Sequence, residues 1–337
     1  MTPSALPVVE IAGTPFEMGH ALGRHARRAI HAQVRRLPEF RALTPWLEEP
    51  YLAELEATAR RLAPSYVAEI EGLAVGAEWA FAEALLWNLK GDLRAAGEPP
   101  GHGCTTLLAR EGDAGRIVHN EDGAPAHRDD GFMVRARPAD GLAFTSFAYP
   151  GLICGNSFAV NERGLVQTLN NIRAHDGRVG LPRQLVARAV LDCATLDAAL
   201  ALLASRPRAS GYHHGLAQAG DARVLAVEAP ASGVAVTTVD DRAAHANHLI
   251  APAFVDLAQA VTASSARRQE AAERGFVAAR ADALDVLLDP AIHGRAVGAD
   301  DSWTLATARF RVAADAVALD VFQGEPTRSV FSETVRP

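Results

Sequence analysis

The feature that most limits the fold is a change of hydrophobic period across residues 97–103, a stretch carrying Gly97, Pro99, Pro100, Gly101 and Gly103. Before it, apolar residues recur at helical spacing. After it, they fall into short strands separated by glycine and asparagine turns. Hairpins with helices inserted in blocks, instead of strict strand–helix alternation, describe an α+β layered fold.

The spacing predicts a helix opening at Pro15 behind Thr14 as N-cap, with Phe16, Met18, Leu22 and Ala26 on its apolar stripe. Further helices are predicted over 45–61, over 64–73 with a stop near Gly72 and Gly76, and over 78–93. Strands are expected over 105–109, 116–119, 132–136, 142–147, 157–160 and 165–169. More follow over 216–219, 224–229, 234–239, 244–247, 305–312 and 317–322. Helices are expected over 181–191 and 196–203, and a broken one over 253–288. There is no internal repeat, so a single compact body with a helical N-terminal region is predicted.

Composition narrows the partners. With 49% hydrophobic and 22% charged residues, 337 residues can bury a sizeable core. A net charge of −7 offers no basic stripe for nucleic acid, and the pairs Arg27-Arg28, Arg35-Arg36, Arg60-Arg61 and Arg267-Arg268 are read as solvated helix faces. No secretory pattern opens the chain and no apolar run is long enough for a membrane span, so a cytoplasmic location is expected. Three cysteines, Cys104, Cys154 and Cys193, do not make a disulfide framework.

Cys104 is the candidate nucleophile. It follows Gly103 and opens an apolar strand, Thr105-Thr106-Leu107-Leu108. If the Gly103–Cys104 bond breaks, the same residue gains an α-amine that titrates at about 7.7–8.0 when unperturbed, suited to general-base work. The competing reading is a buried structural cysteine.

Several short motifs stand in order along the chain: Gly13-Thr14-Pro15-Phe16-Glu17-Met18-Gly19, Glu69-Ile70-Glu71-Gly72-Leu73-Ala74, Gly103-Cys104-Thr105-Thr106 and His119-Asn120-Glu121-Asp122. Leu169-Asn170-Asn171, Arg188-Ala189-Val190-Leu191 and His245-Ala246-Asn247-His248 follow. As an ordered set over nearly the whole chain they resemble the isopenicillin N acyltransferase family, autoproteolytic cysteine hydrolases and acyltransferases of the N-terminal nucleophile class. The resemblance implies a four-layer αββα sandwich. It also implies a precursor that cuts itself into a helical α fragment, 1–103, and a β fragment, 104–337, which stay associated.

The resemblance further implies roles. Cys104 attacks an amide carbonyl and forms an acyl-enzyme. Asp122 sits beside the new amino terminus, and Asn247 supplies an oxyanion-hole donor. Asn120, Asn170, His213 and Asp301 are the substrate-binding candidates. A basic residue expected before Thr304-Leu305 is missing, the segment reading Asp300-Asp301-Ser302-Trp303; Arg309 or Arg311 would have to replace it. That argues against a penicillin-type substrate and for one with an amine, which Asp300 or Asp301 would bind. His245 and His248 lack a third metal ligand nearby, so neither metal nor cofactor is expected.

The function expected is hydrolysis or exchange of a linear N-acyl or aminoacyl amide of a small molecule. Homo-oligomerisation stays open. Two other readings stay open: a noncatalytic or unprocessed small-molecule binder with the same fold, and a single-chain cysteine hydrolase pairing Cys104 with His119 or His245.

Overall fold

The computed structural model describes residues 6–93, 103–205, 207–295, 302–324 and 328–337. The chain opens with strand β1 (Val8–Gly13) and helices α1 (Pro15–Ala32), α2 (Pro38–Leu43), α3 (Pro50–Leu62), α4 (Pro64–Ala77) and α5 (Phe81–Asn88). Strands β2 (Thr105–Glu111), β3 (Ala114–Gly123), β4 (Phe132–Pro138), β5 (Phe144–Ala148), β6 (Phe158–Asn161) and β7 (Leu165–Asn171) follow. Next come α6 (Arg183–Val190), α7 (Leu196–Ser205), β8 (Tyr212–Gln218), β9 (Val224–Ala229), β10 (Ala235–Thr238) and β11 (Arg242–His245). The last elements are α8 (Ala263–Ala272), α9 (Ala283–Leu287), β12 (Trp303–Val312), β13 (Val317–Phe322) and β14 (Phe331–Val335).

The strands form two sheets, one of eight in the order β1-β4-β5-β6-β7-β8-β9-β10 and one of six in the order β11-β2-β3-β12-β13-β14. Pairing is antiparallel except β1 with β4. The alternation of side chains explains the layering. Leu108 and Ile117 of the six-stranded sheet join the large core shared with the eight-stranded sheet and the N-terminal helices. Leu107, Ala109 and Val118, from the opposite face, pack on Ala271, Ala272, Phe276 and Leu287 of the α8–α9 region. The result is the helix–sheet–sheet–helix order of an N-terminal nucleophile fold. No helix among the described residues is long and apolar enough to cross a membrane.

Thr14 caps α1 as expected, its hydroxyl accepting from the Glu17 N–H while the Glu17 carboxylate accepts from the Thr14 N–H. Other boundaries differ. The helix expected over 45–61 splits into a 3₁₀ turn, Thr44–Glu48, and α3, because Pro50 cannot continue a helix begun before it. The helix expected over 78–93 shortens to α5 because Glu78 takes a left-handed conformation, φ 51°, that closes α4. The strand expected over 244–247 is β11, Arg242–His245, and the broken helix over 253–288 reduces to α8, a π-helical turn and α9 after a short 3₁₀ turn.

Gly72 and Gly76 do not end a helix. They lie inside α4 facing α1, where a Cβ would come within 2.0 Å of Phe16 O and 2.1 Å of His20 O. Gly19 and Gly23 meet α4 in the same way, so glycine lets the two backbones touch. That crossing also positions Glu69, whose carboxylate accepts from Arg188 Nε of α6 at 3.1 Å with both side chains at most 2% exposed.

Candidate active site

Cys104 is 7% exposed and immediately precedes β2. Antiparallel register pairs Thr105 with Asn120 and Thr106 with His119, which brings Glu121 and Asp122 of β3 level with Cys104. Strand alternation then divides the motif: His119 and Glu121 face the eight-stranded sheet, while Asn120 and Asp122 face the outer helices. The Cys104 thiol donates to Glu121 Oε2 at 3.3 Å, and Tyr149 Oη donates to Glu121 Oε1 at 3.2 Å. Burial, with the charges of Glu121 and Asp122 beside it, pushes the Cys104 thiol well above its usual range, against a backbone N–H from Asp122. Cys104, Glu121, Asp122, Tyr149, Arg183 and Tyr212 line a cavity of about 90 Å³.

Asp122 accepts from Thr304 Oγ1 at 2.6 Å. Burial pushes its carboxyl up to about 7, opposed by Arg268 and by the Thr304 hydrogen bond. Arg268, 3% exposed on α8, donates through Nη1 to the Cys104 carbonyl at 2.5 Å and through Nη2 to Asn247 Oδ1 at 2.6 Å. Asn247 Nδ2 donates to the Asn171 carbonyl at 2.9 Å. Gly103 fits against both: a Cβ there would stand 2.1 Å from Arg268 Nη2 and 2.1 Å from Asn247 Oδ1. Its φ is not in the left-handed range, so close approach, not backbone conformation, requires glycine here. Asp122 therefore shares the cavity with Cys104, whereas Asn247 is fully buried beside Gly103, outside the cavity lining.

Other candidates stand apart from the cavity. Asn120 is engaged on the helix side, donating to Leu287 O at 3.0 Å and accepting from Thr307 Oγ1 at 2.7 Å. Asn170 and His213 are fully buried between the sheets and joined through Asn170 Oδ1 at 3.2 Å. His213 stacks on His245 at 3.7 Å, and burial together with the neighbouring histidines depresses its basicity well below the usual range. Asp300 and Asp301 lie outside the described residues. Arg309 and Arg311 do not supply a substrate cation; both pair with Asp320 of β13, at 2.9 and 3.0 Å. His245 pairs with Glu228 at 2.8 Å and His248 with Ser265 Oγ at 2.8 Å.

Sequence reasoning missed four residues. Glu121 was legible, since period 2 places it on the His119 face of β3. Arg268 reads as half of a solvated arginine pair but is buried, because α8 lies flat on the outer face of β2 and turns that one residue inward. Tyr149 and Arg183 carry no motif of their own. The three cysteines are free and buried, and burial pushes the Cys193 thiol up to about 11.

The family described as acyl-coenzyme A:6-aminopenicillanic acid acyl-transferase matches residues 109–289, more than half of the chain. Among curated proteins, the beta-alanyl-dopamine/carcinine hydrolase of Drosophila melanogaster is similar, 27% identical over 230 residues. The aligned region covers 59% of this chain and only 57% of that relative.

Proposed function

This chain belongs to the acyl-coenzyme A:6-aminopenicillanic acid acyl-transferase family, a family of acyltransferases and amide hydrolases, and from that premise we propose that it is a self-processing cysteine amidohydrolase. The proposed cut lies between Gly103 and Cys104, giving fragments 1–103 and 104–337. Cys104 then carries both thiol and α-amine. The amine takes the thiol proton, the thiolate attacks the substrate carbonyl, and water releases the acyl group. Asp122 orients the new ammonium, and Asn247 donates to the oxyanion.

The observation that carries this reading is the wedge of Gly103 between Arg268 and Asn247, with Cys104 facing two carboxylates on a small cavity. The substrate class that fits is an aminoacyl amide. Two acids at the nucleophile favour an ammonium group, and the similar Drosophila protein is by name a hydrolase of beta-alanyl-dopamine and carcinine. Hydrolysis is the reaction proposed, since transfer needs a pocket that shields the acyl-enzyme from water.

Intact mass of the purified protein, followed by a panel of N-acyl and aminoacyl amides read by product mass, tests the proposal. Two fragments meeting at Gly103/Cys104, a single inactive chain for Cys104→Ala, and release of the free amine are expected. An uncut wild type with full activity would overturn it.

A further inference from the structure

Self-cleavage needs a base for its first step. Before the cut, the Cys104 nitrogen is a peptide amide and no α-amine exists, while the buried thiol holds its proton tightly. We propose that Glu121, oriented by His119, takes the Cys104 proton in the uncut chain, and so starts self-cleavage. The inference rests on the self-cleavage reading.

Hydrogen-bond bookkeeping supports it. The His245 carbonyl can only accept, so the Asn170 end 3.0 Å from it is the amide nitrogen. Asn170 Oδ1 therefore accepts, from Thr106 Oγ1 at 2.6 Å and from His213 Nδ1 at 3.2 Å. Thr106 has one hydroxyl hydrogen, and it is spent there. His119 Nδ1, 2.8 Å from the same Thr106 oxygen, must then carry a hydrogen of its own. At the other end of the ring, His119 Nε2 lies 3.3 Å from Glu121 Oε2. Two bare acceptors would repel at that distance, so one proton is shared between them. The Nε2–Oε2 contact holds one hydrogen, Oε2 keeps a further lone pair, and Cys104 Sγ stands 3.3 Å from that same oxygen.

One ligand atom each from Cys104, His119 and Glu121 lies within 4.8 Å of the other two, a spread that also suits a metal ion. Here each short contact is already accounted for by a shared hydrogen, which is a relay. Asp122 is the less suited base, because its carboxylate already accepts from Thr304 while the thiol's own hydrogen bond goes to Glu121.

The step balances. The Cys104 S–H proton passes to Glu121 Oε2 while the shared proton stays on His119. The thiolate attacks the Gly103 carbonyl carbon. The C–N bond to Cys104 breaks as the proton returns to the departing nitrogen, leaving a Gly103 thioester and a free amine. Water then hydrolyses the thioester, its hydroxyl completing the Gly103 carboxyl and its proton restoring the thiol.

The test follows full-length chains made by pulse-labelled cell-free translation, with precursor and fragments resolved over time. Wild type should cut, and Glu121→Gln should cut at least about 100-fold more slowly, the usual scale for a lost general base. Hydroxylamine, which cleaves a thioester once formed, should not restore the rate. A Glu121→Gln chain that cuts at the wild-type rate, or one that hydroxylamine rescues, overturns the inference, since Glu121 would then be idle or act after the thioester. Near-ultraviolet circular dichroism checks folding. If Glu121→Gln is misfolded, His119→Gln decides: slow cutting unrescued by hydroxylamine supports the relay, and normal cutting overturns it. A wild type that never cuts overturns the self-cleavage reading itself, and this inference with it.

Discussion

Arg268 grips Asn247 by its oxygen, Nη2 donating to Oδ1 at 2.6 Å, which leaves the amide's nitrogen end turned toward Asn171 and fixed before any reaction begins. The same nitrogen carries a second hydrogen beyond the one given to Asn171, and that hydrogen is the donor proposed for the oxyanion. Asn247→Ala should lower kcat about 100- to 1,000-fold with KM nearly unchanged. Arg268→Lys, which keeps the charge but loses the two-point grip, should lower kcat less. Steady-state kinetics on the best amide substrate decides. A rise in KM at constant kcat would remove Asn247 from the transition state.

Gly103→Ala should block or strongly slow processing. The added methyl falls where Arg268 and Asn247 already stand, so one of them must move or the peptide bond must leave its place. Intact mass reads the outcome. Cutting at the wild-type rate would show that this packing does not hold the bond in position.

Asp122 gives a pH signature. Its carboxyl lies near 3.8 in the unfolded chain and at about 7 in the folded one. Between those values the folded state binds the extra proton, so stability from this group is greatest in acid and is lost as pH rises through 7. Asp122→Asn imitates the protonated form. In a Cys104→Ala background, which keeps every molecule one chain, its Tm advantage should be small at about pH 5 and larger at about pH 8, reflecting a few kcal/mol at most. A gap that is constant or shrinks with pH counts against this assignment. For catalysis the same change should slow self-cleavage.

Glu69 and Arg188 form a buried pair, with Arg188 also reaching Asp192 at 3.0 Å and stacking on Phe144 at 4.7 Å. Glu69→Ala strands the guanidinium and should cost about 3–5 kcal/mol in denaturant unfolding. A loss below about 1 kcal/mol would mean that Asp192 alone satisfies Arg188.

The sequence made the fold class legible because helical and strand periods are segregated on either side of residues 97–103. Cys104 stands out in it as a nucleophile at a strand opening and Asp122 only through the family resemblance; the structure sets both on one cavity. The sequence hid whatever depends on distant chain. β1 is a six-residue strand whose partner lies more than 100 residues on, and β14 pairs with β13 at the end of its sheet. Arg268 is set by how α8 lies on a sheet, which no local period encodes. Asn120 misled because it stands next to Glu121, and in a strand the neighbour faces the other way.

β1 belongs to the segment before Cys104, yet it hydrogen-bonds along β4, Val8 opposite Met133 through Gly13 opposite Pro138. For a severed chain that pairing is held by mass action alone. Dilution should lower the melting temperature of the cut protein and leave that of Cys104→Ala untouched. Parting of the fragments would also bare β4 as an unpaired edge, a template for aggregation. The N-terminal segment thus ends the eight-stranded sheet in place of β4, and its departure would break six residues of backbone pairing.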